Sequence, residues 1–171
     1  FLEGPLLAPG ESEWYGLPTV SAETGSLWEH CLRAIDRGLT AGPHGLPLIG
    51  NGDWNDGMNR VGKDGRGESV WLGFFLYDLL TTFVPLCEAR GDEVRAMRYG
   101  NEAARLADML ELAWDGEWYR RAYFDDGTPL GSAQNEECRI DSIAQSWSVL
   151  SGAARPRRAE RAMDSVRTHL V

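Results

Sequence analysis

Helical sequence patterns of two kinds alternate along most of this chain, and the alternation constrains the fold more than any other feature. The run SVWLGFFLYDLLTTF lies in a predicted helix at about 68–89 and is apolar on nearly every side, as in a helix buried all round. The next predicted helix, 92–113, is amphipathic, with its apolar stripe including Val94 and Met97. A mostly apolar helix (141–152) and an arginine-rich amphipathic helix (156–169) then repeat this pair.

This order predicts an all-α domain in which an inner ring of apolar helices is wrapped by an outer ring of amphipathic ones. A further helix begins near Thr24 or Ser26, either of which can cap it, and ends at about Leu39; Glu29, three residues after Ser26, completes a capping box with that serine. Between the two helix pairs, the segment WDGEWYRRAYFDDGTPLGS carries two Asp-Gly turn signals and predicts a short β-hairpin. Five helices cannot close a double ring of twelve. We therefore expect a partial barrel with long loops at one end.

The ends of the sequence suggest a part of a longer protein. The chain begins at Phe1 and ends inside a helical pattern. We expect residues 1–22 to be a linker, or a segment that packs on a neighbour, and residues 23–171 to be a fragment of the barrel. Half a barrel leaves inner helix faces uncovered, so we also expect the isolated 171 residues to associate with copies of themselves.

The composition excludes several classes of partner and site. A formal net charge of −9 argues against binding to nucleic acid or to an anionic membrane surface. We see no continuous apolar run of membrane length and no signal peptide. The three cysteines, Cys31, Cys87 and Cys138, are widely spaced, so neither a disulfide framework nor a zinc site is indicated. We expect all three to be reduced and structural, as in a cytoplasmic protein.

The glycine-rich segment 43–67 carries the strongest chemical signal, in the run GNGDWNDGMN. Here Asp53, Asn55 and Asp56 surround Trp54. A flat aromatic ring covers the apolar face of a sugar, while carboxylates and amides bond its hydroxyls, so this composition suits carbohydrate binding. Further aromatic and polar side chains follow downstream, at Trp118, Tyr119, Tyr123 and Phe124 and at Gln134, Asn135, Glu136 and Glu137.

Three other interpretations of this segment are open. Asp and Asn among glycines also form ordinary turns. A calcium loop fits poorly, because Gly57 stands where a fifth ligand belongs and no acidic residue occupies the twelfth position. The run GKDGRGES resembles a phosphate-binding loop only loosely, since it lacks the Lys-Ser/Thr ending. His44 precedes the segment without a defined role, and we predict no metal site.

The runs GLPLIGNGDWNDGMNRVG, GESVWLGFFLY, WYRRAYFDDGTPLGS and CRIDSIAQSWSVLSGA, in this order, strongly resemble glycoside hydrolase family 94. The resemblance extends from about Glu23 to the end. It is strongest to the C-terminal, phosphorylase-like domain of cyclic β-1,2-glucan synthases. It implies an α/α six-fold barrel and inverting phosphorolysis of β-1,2-glucan, or a related β-glucoside, to α-glucose 1-phosphate.

The resemblance also implies roles for particular residues. The second carboxylate of DWND is the family's general acid, which corresponds to Asp56, and the tryptophan lines the donor-sugar subsite, which corresponds to Trp54. Asp53 and Asn55 would bind substrate beside them, and Asp53 could raise the pKa of Asp56. The NEECRID segment matches a stretch near the sugar cleft, so Glu137 and Gln145 are candidate contacts.

Phosphate is the co-substrate that the resemblance implies, and no other cofactor is expected. Much of the family's phosphate site lies after the matched stretch, so we expect the fragment alone to be inactive. The alternatives are a non-catalytic β-glucan-binding or scaffold segment of a synthase, or a free-standing cellobiose-type phosphorylase. We expect a cytoplasmic domain, and the full-length protein could be anchored in a membrane.

Overall fold

The chain divides into two compact units, residues 1–39 and 40–171. The computed structural model describes residues 1–9, 11 and 14–171, and it describes Asp56 through its backbone alone. The expected boundary between residues 22 and 23 stays a prediction, as does the assignment of residues 23–171 to a barrel fragment. The interpretation of residues 1–22 as a linker or packing segment stays a prediction.

The first unit consists of two short strands and one helix. These elements are β1 (Leu2–Glu3), β2 (Thr19–Val20), which pairs antiparallel with β1, and α1 (Leu27–Gly38). Ser26 caps α1 by accepting a hydrogen bond from the Glu29 backbone N–H, which confirms the predicted N-cap. The ring of Phe1 stacks on His30 with centroids 4.0 Å apart, which ties the start of the chain to the helix.

The second unit is mainly helical. Its elements are a 3₁₀ turn (Asp56–Met58), β3 (Glu68–Ser69), α2 (Val70–Glu88), α3 (Glu93–Leu112), β4 (Ala122–Tyr123), β5 (Pro129–Leu130), α4 (Ser142–Leu150) and α5 (Pro156–Leu170). The predicted hairpin is confirmed as β4–β5. β3 pairs antiparallel with β4, in the register Glu68 to Tyr123, and makes a third strand. This strand leads directly into α2, so the sheet fixes where the apolar helix begins.

Burial in the helices follows the predicted alternation. Seven of the 19 residues of α2 and three of the nine of α4 are buried, against five of 20 in α3 and two of 15 in α5. α2 contacts α4, while α3 packs on α2 and α5 packs on α4. This is the arrangement of two inner helices with an outer helix on each. A helical unit with small sheets is therefore shown, and closure into a six-fold barrel stays a prediction.

The predicted stripe of α3 is wrong at its N-terminal end. Val94 and Met97 are 75% and 65% exposed. The buried face consists instead of residues spaced three or four apart along one side of the helix: Ala96, Tyr99, Ala103, Leu106 and Leu110. A tyrosine and two alanines contribute to this face beside the two leucines.

α2 has the length and composition of a helix that could cross a membrane, with 19 residues and a mean hydropathy of 1.6 in its most apolar window. The apolar residues of α2 are not continuous, since Asp78, Thr81 and Thr82 interrupt them, and the expectation of no run of membrane length rested on a continuous stretch. Core helices of soluble proteins have the same length and composition. Here the part of α2 from Val70 to Leu80 is better buried than the rest, with Val70, Phe74 and Leu80 fully enclosed.

Candidate active site

Residues 50–60, here called the DWND loop, begin directly after Ile49, where two backbone hydrogen bonds hold the chain. Ile49 is buried and its N–H donates to the Gly67 carbonyl, and Gly52 N–H donates to the Ile49 carbonyl. Asn55 caps the 3₁₀ turn that follows, since its side-chain oxygen accepts from Gly57 N–H at 3.0 Å. The backbone of Asp56 opens that turn. The side chain of this predicted acid lies outside the described part of the chain.

Asp53 anchors the loop from within. Its side chain is fully buried and receives two 2.7 Å hydrogen bonds from the guanidinium of Arg121, one to each carboxylate oxygen. The Ser69 hydroxyl donates a third, at 2.5 Å. Burial alone would raise the pKa of Asp53, but these hydrogen bonds outweigh it and hold the pKa below its ordinary value. Asp53 is therefore an ionised structural group.

These contacts do not fit the two roles expected for Asp53, which are to bind substrate and to raise the pKa of Asp56. Both of its oxygens are occupied by Arg121 and shielded from solvent, so no oxygen is left to bind a sugar hydroxyl. Its negative charge is also matched by a guanidinium at contact distance, which reduces any effect of that charge on the pKa of a neighbouring acid. We accordingly do not retain Asp53 among the proposed sugar contacts.

Trp54, the next residue, faces solvent. Its side chain is 74% exposed, although its ring meets the edge of Trp71 with centroids 6.4 Å apart. Trp71 in turn stacks on Phe75 and meets Trp147 edge to face. An exposed indole that rests against a buried ring, here Trp71, can offer a flat face to a sugar. Trp54 and the exposed Asn55 therefore remain proposed substrate contacts.

Gln145 lies in the interior, which does not suit a sugar contact. It is fully buried in α4, where its side-chain oxygen accepts from Tyr119 N–H and its amide donates to the carbonyls of Tyr119 and Asp141, each at 2.8 Å. These bonds fasten α4 to the segment before β4. The structure thus gives Gln145 a packing role, and we leave it out of the proposed site.

Residues 133–140, here called the NEEC loop, carry the remaining candidate. Asn135 folds the start of this loop by accepting from Ser132 N–H and donating to the Pro129 carbonyl. Glu136, Glu137 and Cys138 beyond it are exposed, and Cys138 has a positive φ of 50°. Glu137 is therefore accessible to a ligand. The expectation that Cys138 is structural is wrong, whereas Cys87 is buried as predicted.

The downstream aromatics belong mostly to the core. Trp118, Tyr119 and Tyr123 are each at most 5% exposed. Phe74 meets Tyr119 edge to face, and the Trp118 indole donates to the Gly131 carbonyl. Burial and the neighbouring Glu111 carboxylate raise the pKa of the Tyr119 hydroxyl above its usual range. These rings hold the hairpin against the helices.

His44 acquires a partner that sequence spacing did not reveal. Its Nδ1 lies 2.5 Å from a carboxylate oxygen of Glu68, and its ring stacks on Tyr123 at 3.8 Å. Glu68 is 1% exposed and also accepts from the backbone N–H groups of His44 and Leu46. His44, Tyr123 and Arg120 line an open cavity of about 660 Å³. The His44–Glu68 pair connects the start of the glycine-rich segment 43–67 to β3.

Comparisons with known proteins show the family of this chain. The family described as "Glycosyl hydrolase 94 superfamily, catalytic domain" matches residues 6–171. The cyclic beta-(1,2)-glucan synthase NdvB of Rhizobium meliloti (strain 1021) is 53% identical over 173 residues, covering 100% of this chain and 6% of the relative. The 3-O-beta-D-glucopyranosyl-beta-D-glucuronide phosphorylase of Paenibacillus borealis is 41% identical over 149 residues, covering 85% of this chain and 19% of the relative.

An N,N'-diacetylchitobiose phosphorylase of Vibrio proteolyticus is 31% identical over 171 residues, covering 96% of this chain and 21% of the relative. The chain thus spans between 6% and 21% of the length of these three proteins. Phosphorylases and a glucan synthase are both similar to nearly the whole chain. What these proteins share is therefore a phosphorylase-like domain.

Proposed function

This chain belongs to the glycosyl hydrolase 94 superfamily, and we propose that the protein carrying it cleaves β-1,2-glucan, or a related β-glucoside, by inverting phosphorolysis to α-glucose 1-phosphate. The observation that supports this best is the exposed ring of Trp54, two residues before Asp56, on a loop anchored by the buried Asp53–Arg121 pair. Such a loop can hold a sugar face and an acid in fixed relation.

The reaction needs one carboxylic acid, which we propose is Asp56. Its proton passes to the glycosidic oxygen as the bond from that oxygen to the anomeric carbon breaks. Phosphate attacks the anomeric carbon from the opposite face, which inverts its configuration. An inverting hydrolase requires a second carboxylate to activate water, but phosphate is already an anionic nucleophile and needs no base. The pKa of the acid must then be high enough to keep its proton near neutral pH.

We propose Trp54, Asn55 and Glu137 as substrate contacts and β-glucan oligosaccharide and inorganic phosphate as the partners. Phosphate-binding groups would come from parts of the full-length protein beyond these 171 residues, and no metal is required. We place the domain in the cytoplasm, in a larger polypeptide that can be membrane-bound. The isolated 171 residues would associate with one another through apolar side chains exposed on the inner helices, such as Phe75 and Leu150.

The comparison with the glucan synthase, to which 53% of the aligned residues are identical, supports the proposed linkage. The phosphorylases named above act, by their names, on other sugars, a glucopyranosyl-glucuronide and diacetylchitobiose. We therefore propose β-1,2-linked glucose as the preferred substrate.

The test is whether a full-length protein releases glucose 1-phosphate from β-1,2-glucooligosaccharides only when phosphate is added. We expect release to rise with phosphate concentration and to saturate. Free glucose appearing without phosphate would identify a hydrolase. Tight glucan binding with neither product would identify a non-catalytic binding segment. A preference for cellobiose would move the assignment to a cellobiose-type phosphorylase.

A further inference from the structure

One buried guanidinium, that of Arg121, connects three separate parts of the second unit. Arg121 stands just before β4 and its side chain is 3% exposed. Beyond its two bonds to Asp53, one of its terminal nitrogens lies 3.3 Å from the Ser69 hydroxyl. Its Nε lies 3.5 Å from a carboxylate oxygen of Asp141, an ion-pair distance but not a hydrogen bond.

Two of these partners stand at the start of the inner helices. Ser69 is the N-cap of α2, where its hydroxyl accepts from Leu72 N–H, and Asp141 is the N-cap of α4, where its carboxylate accepts from Ile143 N–H. The backbone carbonyl of Arg121 also accepts from Val70 N–H, the first residue of α2. The DWND loop and both inner helices are therefore fixed to the same residue.

The surrounding backbone is built closely around this side chain. Gly131 has a φ of +76°, and a Cβ at that position would lie 2.7 Å from the Arg121 backbone nitrogen and 2.8 Å from its Cβ. A buried ion pair is a poor way to gain stability, because well-packed apolar side chains often serve as well or better. A guanidinium that donates two parallel hydrogen bonds to a carboxylate also fixes the position and orientation of that carboxylate.

We propose that Arg121 is a positioning residue: through Asp53 it holds Trp54 and Asp56 at one place relative to the starts of α2 and α4. The proposal rests on the proposed function for its effect on turnover. A second consequence does not depend on that function: the DWND loop becomes more mobile when the two hydrogen bonds from Arg121 to Asp53 are lost. Arg121 itself touches no reacting atom.

The experiment compares Arg121→Lys, the double variant Asp53→Asn/Arg121→Gln and the control Arg120→Lys in the full-length protein. Arg120 is the adjacent arginine and pairs with Asp115, away from the loop. Lysine keeps the charge of Arg121 but not the two parallel bonds. The double variant removes both buried charges, so its thermal stability should recover relative to Arg121→Lys. The fixed position of the DWND loop should not recover, because the two parallel hydrogen bonds are still missing.

We expect kcat to fall about ten- to a hundredfold in Arg121→Lys and in the double variant, with KM changed less than about threefold. Amide exchange in residues 50–60, followed by mass spectrometry, should become at least about threefold faster in both, without acceleration in the middle of α2. Arg120→Lys should match the unaltered protein in kcat and in exchange.

Recovery of kcat together with thermal stability in the double variant would overturn the proposal, because Arg121 would then serve only to balance a charge. Unchanged kcat in Arg121→Lys would overturn it as well. If the unaltered protein shows no phosphate-dependent turnover, the proposed function fails, and exchange alone decides the positioning role: faster exchange confined to residues 50–60 supports it, and unchanged or uniformly faster exchange refutes it.

Discussion

The DWND loop and the NEEC loop are both marked by their sequences as sugar-binding segments, yet the structure holds them in different ways. The DWND loop places a buried, ion-paired carboxylate immediately before an exposed indole. The NEEC loop is held at its start, through Asn135 and through the hydrogen bond from Ala133 N–H to Asp115, and its two glutamates are exposed. A loop anchored by a buried ion pair suits the proposed acid, whose position must be fixed. A loop held near its start suits the proposed substrate contacts, which can adapt to the acceptor sugar.

Substitution of the proposed acid should produce the largest effect on either loop. Asp56→Asn keeps the size of the side chain but cannot donate a carboxylic proton, so kcat should fall by roughly 10²–10⁴. Binding should be largely kept, and kcat should therefore fall more than KM rises. Steady-state rates of glucose 1-phosphate release measure this. If Asp56→Asn turns over normally while Asp53→Asn is dead, the assignment within DWND is reversed.

Substitution of the anchor should act on stability more than on chemistry. Asp53→Asn leaves the Arg121 charge buried without its partner, which should lower the free energy of unfolding by about 3–5 kcal/mol at pH 7. Denaturant-dependent amide exchange in α2 and α4 of the full-length protein measures it. The control is Asp126→Asn, an exposed residue with a bond to Thr128 N–H, which should cost less than about 1 kcal/mol.

The stability gap between the unaltered protein and Asp53→Asn should also depend on pH. The pKa of Asp53 in the folded state is below its unfolded value, so its contribution is complete above the unfolded pKa of about 3.9 and is lost as pH falls through the folded pKa. The gap should thus stay constant from pH 7 to about 5 and narrow below about 4. A gap that widens in acid would contradict an ionised anchor.

The exposed ring of the DWND loop should affect binding rather than stability. Trp54→Ala removes a sugar platform and should raise KM about tenfold, which corresponds to about 1.4 kcal/mol. Trp54→Phe keeps a flat ring and should recover most of that loss. Thermal unfolding should change little in either variant, since the side chain is 74% exposed. A large fall in stability would mean that Trp54 serves mainly to pack on Trp71.

The NEEC loop should show the smallest effect. Glu137→Gln removes an exposed charge and should raise KM for the oligosaccharide by less than about fivefold, with kcat unchanged. Glu136→Gln provides the matched control on the same exposed segment. A fall in kcat as large as that of Asp56→Asn would show that this loop, too, is fixed and takes part in the chemistry.

Structural features that depend on a local sequence pattern were predictable. Features that depend on contacts between residues far apart in the sequence were not. The apolar run of α2 and the capping residue Ser26 are visible over a few neighbouring residues, and the structure has both. Asp53 and Arg121 stand 68 residues apart, and no local signal in the sequence pairs them. Each is also an ordinary polar residue in a segment rich in such residues.

Aromatic residues were the main source of error for the site, because the same side chain suits a sugar platform and a protein core. Tyr119 and Trp118 are buried and Trp54 is exposed, although all three stand beside polar residues and glycines. Gln145 was misjudged for a similar reason. An amide can bond a sugar hydroxyl or a backbone segment, and only the fold shows that Tyr119 lies opposite it.

Whether the reaction is an inverting phosphorolysis can be measured directly by proton and phosphorus NMR. The full-length protein is incubated with a β-1,2-glucooligosaccharide and phosphate, and the first products are identified. Inverting phosphorolysis predicts that α-glucose 1-phosphate is the first product, formed in equal amount to the bonds cleaved, with no free glucose from the donor end. The β-anomer as first product, or free glucose formed at the same rate without phosphate, would contradict it.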